Sequence, residues 1–240
     1  MPTAVAENYL KQLYYGQQAA SGELVRVGDL AAAIGVTPGT ATTMVKSLAR
    51  SGWAIYEPRT GVRLTRRGER LALSVVRRHR LLELFLSKVL GLDWSEVHAE
   101  AEVLEHAVSE KVVEKIDELL GRPQVDPHGD PIPTASGTLP KPQATTLADC
   151  ALDRPMHIVR IMGADQDRDF LHFLDRNGLI PGATVTVRQR HPAAQAIQID
   201  VKGHPPVAFG TTAAKRILVK AKTASPRNLP TRSVSSDHAI

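Results

Sequence analysis

A chain of 240 residues with 42% hydrophobic and 23% charged residues has the make-up of an ordinary water-soluble protein, long enough for two or three small domains. The single cysteine, Cys150, excludes an internal disulfide, and no apolar run reaches the roughly 20 residues that span a bilayer. The net charge of +5 is uneven: residues 1–80 carry +7 and residues 81–150 carry −8, which suggests a polyanion partner for the first block and a cation partner for the second.

The N-terminus lacks the basic-then-apolar layout of a signal peptide, so a cytoplasmic location is expected, with no membrane partner. Residues 4–15, AVAENYLKQLYY, place Val5, Tyr9, Leu10, Leu13 and Tyr14 at helical spacing. A polar connection over 16–23 leads to a short second helix from Gly28-Asp29, which Gly35 stops. Thr37 is placed to cap a third helix with Pro38 at its first position, and Gly52 ends it. The period then changes to alternation in two short strands, Trp53–Glu57 and Val62–Thr65, around a Pro-Arg-Thr-Gly turn. This order is that of a winged helix-turn-helix.

Residues 66–91 read as one long helix whose later half, LLELFLSKVL, is apolar on more than one face and needs burial from two sides. Two more helices follow: WSEVHAEAEVLEHAV, and a segment capped by Ser109 that ends at Gly121. A Pro/Gly/Ser/Thr-rich stretch marks a domain boundary. Beyond it MHIVRIMG, ATVTVRQR, AIQIDVKG and PVAFG alternate as strands, interrupted by the helical DRDFLHFLDRNG, which points to a small SH3-like barrel. The polar end, KTASPRNLPTRSVSSDHAI, reads as a disordered tail. The fold class is therefore α+β. Its parts are a winged helix-turn-helix over 1–70, a helical domain over 71–125, a linker over 126–145, an SH3-like barrel over 146–221 and a tail over 222–240.

The second helix of a helix-turn-helix enters the major groove by its first turn. Here that turn carries Thr37, Pro38, Gly39, Thr40, Thr42 and Thr43, small side chains that touch thymine methyls and base edges without holding the backbone away. Lys46 and Arg50 farther along, Arg26 before the second helix, and Arg59 and Arg63 on the wing suit phosphates. Double-stranded DNA is the expected partner. Use of the same fold for protein contacts is the competing reading, and the +7 block weighs against it.

The segment HAEAEVLEH puts His98, Glu102, Glu105 and His106 on one helical side, with no lysine between Lys88 and Lys111 to mark a solvated face. His79 and Glu83 form a second i, i+4 pair on the preceding helix, and imidazole with carboxylate suits divalent first-row metals. EVLEH approaches the H-x-x-E-H pattern of zinc proteases, but Glu102 stands where the first histidine is needed. No nucleophile, oxyanion donors or phosphate-binding glycine loop accompany it, so neither an enzyme nor a small-molecule substrate is expected.

Together, AENYLKQLYY, RTGVRLTRRG, RRHRLLELFL, GLDWSEVHAEAEVLEHAVSE and DPHGDPIP make residues 4–221 resemble the diphtheria toxin repressor family of iron- or manganese-dependent transcriptional repressors. The resemblance implies a repressor of metal-homeostasis genes that binds operator DNA as a homodimer and holds two ions per subunit. It implies a regulatory site of Asn8, Glu102, Glu105 and His106. A second site would use His79, Glu83, His98, Asp126 and His128, completed from the FeoA-like barrel by Gln166 or Asp169. Glu102, in place of the sulfur ligand of iron-responsive members, favours Mn(II), with Fe(II) as the alternative. Lys11 stands where some manganese-responsive members hold an adjacent ion through glutamate, so a binuclear regulatory site is not expected. A metal-independent winged-helix regulator and a metal-buffering protein are the other classes left open.

Overall fold

The computed structural model describes residues 2–20, 23–140, 143–163 and 167–221. Helix α1 (Ala4–Ala19) begins where Thr3 accepts a hydrogen bond from the Ala6 backbone N–H. It runs past the expected stop at Gly16, because that glycine lies against the Val25 side chain and Gln17 accepts a hydrogen bond from the Leu64 N–H at 2.9 Å. Helix α2 (Val27–Ile34) ends on Gly35 in the left-handed conformation, φ +76°. Helix α3 (Pro38–Arg50) is capped by Thr37, as its Thr-Pro start predicts. Strands β1 (Ala54–Glu57) and β2 (Gly61–Leu64) pair antiparallel to form the wing.

Helix α4 (Arg66–Lys88) starts on the cap Thr65. Gly68 in its first turn is required by packing: a Cβ there would lie 1.9 Å from the Trp53 carbonyl oxygen. Ala72, Leu73 and Val76 of α4 join Tyr9, Leu10, Leu13, Ala41, Val45 and Leu48 in the core of the winged helix. Its later residues Leu81, Leu82, Leu84 and Leu86 form a second core with Val97, Ala101, Val113 and Ile116. One helix thus serves two cores, which explains its several apolar faces. Val89, Leu90, Val103, Val112 and Leu119 of the same unit are left exposed.

Helix α5 (Val97–Leu104) is shorter than the expected span, and Glu105 to Val108 form a turn that delivers the chain to the Ser109 cap of α6 (Glu110–Leu119). The first part of the expected linker is packed rather than loose. Arg80 donates to the Pro131 carbonyl at 2.6 Å and to Asp130 at 3.2 Å, and the Ile161 N–H donates to the His128 carbonyl at 2.8 Å. A Cβ on Gly129, φ +86°, would meet the Val159 carbonyl oxygen at 2.0 Å, so this segment closes tightly on the third unit.

That unit is a six-stranded antiparallel sheet of SH3-like type. In chain order come β3 (Thr145–Thr146), β4 (Met156–Ile161), α7 (Arg168–Arg176), β5 (Thr184–His191), β6 (Ala196–Val201), β7 (Val207–Gly210), α8 (Thr211–Lys215) and β8 (Ile217–Ala221), with sheet order β3-β8-β4-β5-β6-β7. Register shifts within β4 and β5 mark bulges, which bend a sheet around its core. No helix among the described residues is long and apolar enough to cross a membrane. The tail over 222–240 and Gln166 lie outside the described residues.

Candidate metal centre and nucleic-acid interface

Three elements from different parts of the chain converge beneath the winged helix. Helix α1 presents Glu7, Asn8 and Lys11 at i, i+1 and i+4, so the three share one side of the helix. Helix α4 presents His79 and Glu83, one turn apart. Helix α5 and the turn after it present His98, Glu102, Glu105 and His106.

The imidazole of His106 is bracketed by α1: Nδ1 lies 2.7 Å from Glu7 Oε2, Nε2 lies 2.7 Å from Asn8 Oδ1, and Nε2 is also 3.2 Å from Glu105 Oε1. Lys11 Nζ donates to Glu102 Oε1 and to Glu105 Oε1, both at 2.6 Å. The other oxygen of Glu105 is 2.6 Å from His79 Nδ1. On its far side, His79 Nε2 sits 3.0 Å from Glu83 Oε1 and 2.9 Å from His98 Nδ1. The expected regulatory and second groups are thus joined through the His79–Glu105 contact. Glu83 also belongs with Asp126 and His128, and the candidate ligand atoms of these three lie within 4.8 Å of one another.

Burial makes these charges consequential. Removal from water, the largest influence on His79, opposes its charge, but Glu83 and the hydrogen bonds to Glu105 and Glu83 override it and push the imidazole up to about 10. Burial likewise acts to raise Glu83 and Glu105. The His79 charge and the hydrogen bonds of Glu83 with His79 and His98 hold Glu83 well below the usual carboxylate range. His79 and Lys11 hold Glu105 below it as well. Asp126 goes the other way, because burial and the neighbouring Glu83 and Asp130 raise it well above its ordinary value.

The donor chemistry fits a divalent first-row ion. Carboxylate and imidazole atoms of His79, Glu83 and His98, of His79, Glu102 and Glu105, and of Glu83, Asp126 and His128 gather within 4.8 Å in each group. His128 Nε2 donates to the Trp94 carbonyl at 2.9 Å, which leaves the Nδ1 lone pair free for ligation. Cys150 is remote, with its thiol donating to the Leu147 carbonyl inside the third unit. Asp169 lies on the exposed first turn of α7 and joins none of these groups among the described residues.

Two participants were not singled out from the sequence. Glu7 anchors both His106 and the Arg78 guanidinium, the latter at 2.8 Å. Arg80 lies buried beside Asp126, with 3.7 Å between Nε and Oδ2. Glu7 could have been found from its position one residue before Asn8 on the face that carries Lys11. Arg80 offered no such sign among the neighbouring basic residues Arg77 and Arg78.

In the winged helix, the start of α3 is exposed. Thr37, Pro38, Gly39, Thr40 and Thr43 are open to solvent, as are Lys46 and Arg50, while Thr42 is half-buried. The hydroxyls of Thr42 and Thr43 donate to the carbonyls of Pro38 and Gly39, at 2.7 and 3.1 Å, so their hydrogens are spent on the helix itself. Thr43, Lys46 and Arg50 line a shallow groove closed by Tyr56 of the wing. Arg26, Arg59 and Arg63 line a second one with Glu23 and Glu57.

Known proteins share this order of domains. Residues 1–62 match the iron dependent repressor N-terminal DNA binding domain, residues 65–134 the metal binding and dimerisation domain of the same repressors, and residues 145–221 the FeoA domain. The HTH-type transcriptional regulator MntR of Lysinibacillus sphaericus (strain C3-41) is 36% identical over 120 residues, which cover 50% of this chain and 84% of that protein. The iron-dependent repressor IdeR of Mycobacterium tuberculosis (strain ATCC 25618 / H37Rv) is 33% identical over 178 residues, covering 69% and 75%. A solved structure of a manganese-dependent transcriptional repressor in complex with manganese is 39% identical, with a TM-score of 0.79, and the match covers 90% of this chain and 99% of that one. The chain belongs to the diphtheria toxin repressor family and is a metal-dependent transcriptional repressor.

Proposed function

We propose that this protein represses metal-homeostasis genes as a homodimer that binds operator DNA when loaded with Mn(II), at two ions per subunit. The observation that carries the reading is the junction of α1 with the turn after α5, where polar side chains from the DNA-reading half meet those of the helical half. Glu7, Asn8 and Lys11 come from the first, and Glu102, Glu105 and His106 from the second. A bound divalent ion would add positive charge beyond that of Lys11 for the carboxylates of Glu7, Glu102 and Glu105 to gather around.

The chain's own residues set what that junction does. Asn8 and Glu7 orient His106, and Glu105 faces both the α1 side and His79. Because α1 packs into the winged-helix core through Tyr9, Leu10 and Leu13, fixing α1 on α5 fixes the recognition helix α3 relative to the helical unit. In a dimer, the two copies of α3 then match major grooves one helical turn apart, about 34–36 Å. The exposed Val89, Leu90, Val103, Val112 and Leu119 are available to the dimer interface. Asp126, His128, Glu83, His79 and His98 make the second, more buried site.

Manganese is favoured over iron because every donor is oxygen or imidazole and none is sulfur. The likeness to a manganese-dependent repressor supports this choice, whereas the likeness to IdeR supports Fe(II). Operator binding in Mn(II), anaerobic Fe(II), Zn(II) and chelator tests the reading, for wild type and for Glu102→Ala. We expect binding with Mn(II), little in chelator, and a weakened Mn(II) response in the variant. Operator binding that ignores the chelator would refute it, and activation by Fe(II) alone would replace Mn(II) with iron.

A further inference from the structure

We infer that Lys11 is a tethered cation that competes with the ion at the junction and so sets the metal concentration it needs. The inference rests on the regulatory reading of Glu102, Glu105 and His106 given above. Lysine is rarely buried, yet Lys11 is 2% exposed, and its ammonium spans two carboxylates at 2.6 Å each. Those carboxylates and His79 form one of the three ion-sized groups in the protein's described residues. The ammonium thus bonds one oxygen of each carboxylate in this group.

Two consequences follow from the oxygen inventory. Glu105 Oε2 is committed to His79 Nδ1 at 2.6 Å, and Oε1 is shared between Lys11 at 2.6 Å and His106 Nε2 at 3.2 Å. An ion held on the Asn8–His106 side must therefore compete with the lysine for Glu105 Oε1. Lys11 also ties α1 to α5 by itself, because its own backbone belongs to α1 and both of its partners belong to the α5 segment. The metal-free protein keeps part of the junction, and the metal response is graded against that residual link.

The test is Mn(II) calorimetry on wild type, Lys11→Met, Lys11→Gln and Lys11→Arg without DNA, with circular dichroism in chelator to verify folding. The neutral variants leave two carboxylates without their counter-ion. They are expected to bind Mn(II) at least about tenfold more tightly at the junction, as the cost of an unpaired buried charge implies. They should melt at lower temperature than wild type in chelator and regain more of that loss on adding Mn(II). Lys11→Arg should stay near wild type in affinity. Lys11→Gln keeps hydrogen-bond donors, so it serves if Lys11→Met folds poorly. Folded neutral variants with wild-type affinity would overturn the inference while leaving the regulatory reading intact. If neither wild type nor variants bound Mn(II), both would fall.

Discussion

Asn8 meets His106 with an amide oxygen at 2.7 Å, where a carboxylate would add a full negative charge. Substituting Asn8→Asp should therefore tighten Mn(II) binding by about tenfold, since ligand charge tunes affinity for hard cations. Titration of both proteins measures it, and unchanged affinity would remove Asn8 from the ligand set. His79 makes a separate prediction for the metal-free protein. Its folded-state value, about 10, lies above the 6.5 of a free imidazole, so its contribution is full below pH 6.5 and is lost as pH rises through 10. Asp126, also raised, acts with the same sign, whereas Glu83 and Glu105 are lowered and lose their contribution only on the acid side. The melting temperature in chelator should fall steadily between pH 7 and pH 10, and a flat or rising profile would contradict the charged His79. Helical spacing in HAEAEVLEH and RRHRLLE was enough to nominate these candidate ligands. It could not show that Lys11, 91 residues before Glu102, closes over the same carboxylates. That contact depends on how α1 crosses α5, which is a packing result.

Most elements could be placed from local signals because their caps are local: Thr37, Thr65 and Ser109 each bond a backbone N–H three residues ahead. The misjudged ends are those decided by distant partners. Gly16 does not break α1 because Val25 and Leu64 hold that turn, and the 122–134 segment is ordered by Arg80 and β4 despite its loop-like composition. The start of α4 offers a direct check. Gly68→Ala would push a methyl into the Trp53 carbonyl, 1.9 Å from the ideal Cβ position, and should cost about 3 kcal/mol in urea unfolding. Wild-type stability in that variant would show that α4 and the wing are not so closely packed. In α3, Lys46 is exposed and lines the groove beside Arg50 and Tyr56, where we propose that it meets phosphates. Lys46→Ala should weaken binding about equally on all operator sequences and reduce the salt slope by about 1. A loss confined to one sequence would instead make Lys46 a base-reading residue.

Across the whole molecule, one long helix joins the two cores and a charged cluster joins the same two units at a second point. The three-unit order was readable from changes in hydrophobic period, from 3.6 in the helices to 2 in the wing and barrel. The joining of the two candidate ligand groups through His79 and Glu105 was not, because it depends on two side chains 26 residues apart meeting at 2.6 Å. The central claim is that metal and DNA act on one equilibrium through the α1–α5 junction, and such linkage must be reciprocal. The direct measurement is the Mn(II) affinity of the protein with and without saturating operator DNA, set beside the operator affinity with and without Mn(II). The account predicts that operator tightens Mn(II) binding by the same factor by which Mn(II) tightens operator binding, and that Glu102→Ala shrinks both together. Mn(II) binding unchanged by operator, alongside operator binding unchanged by Mn(II), would contradict it.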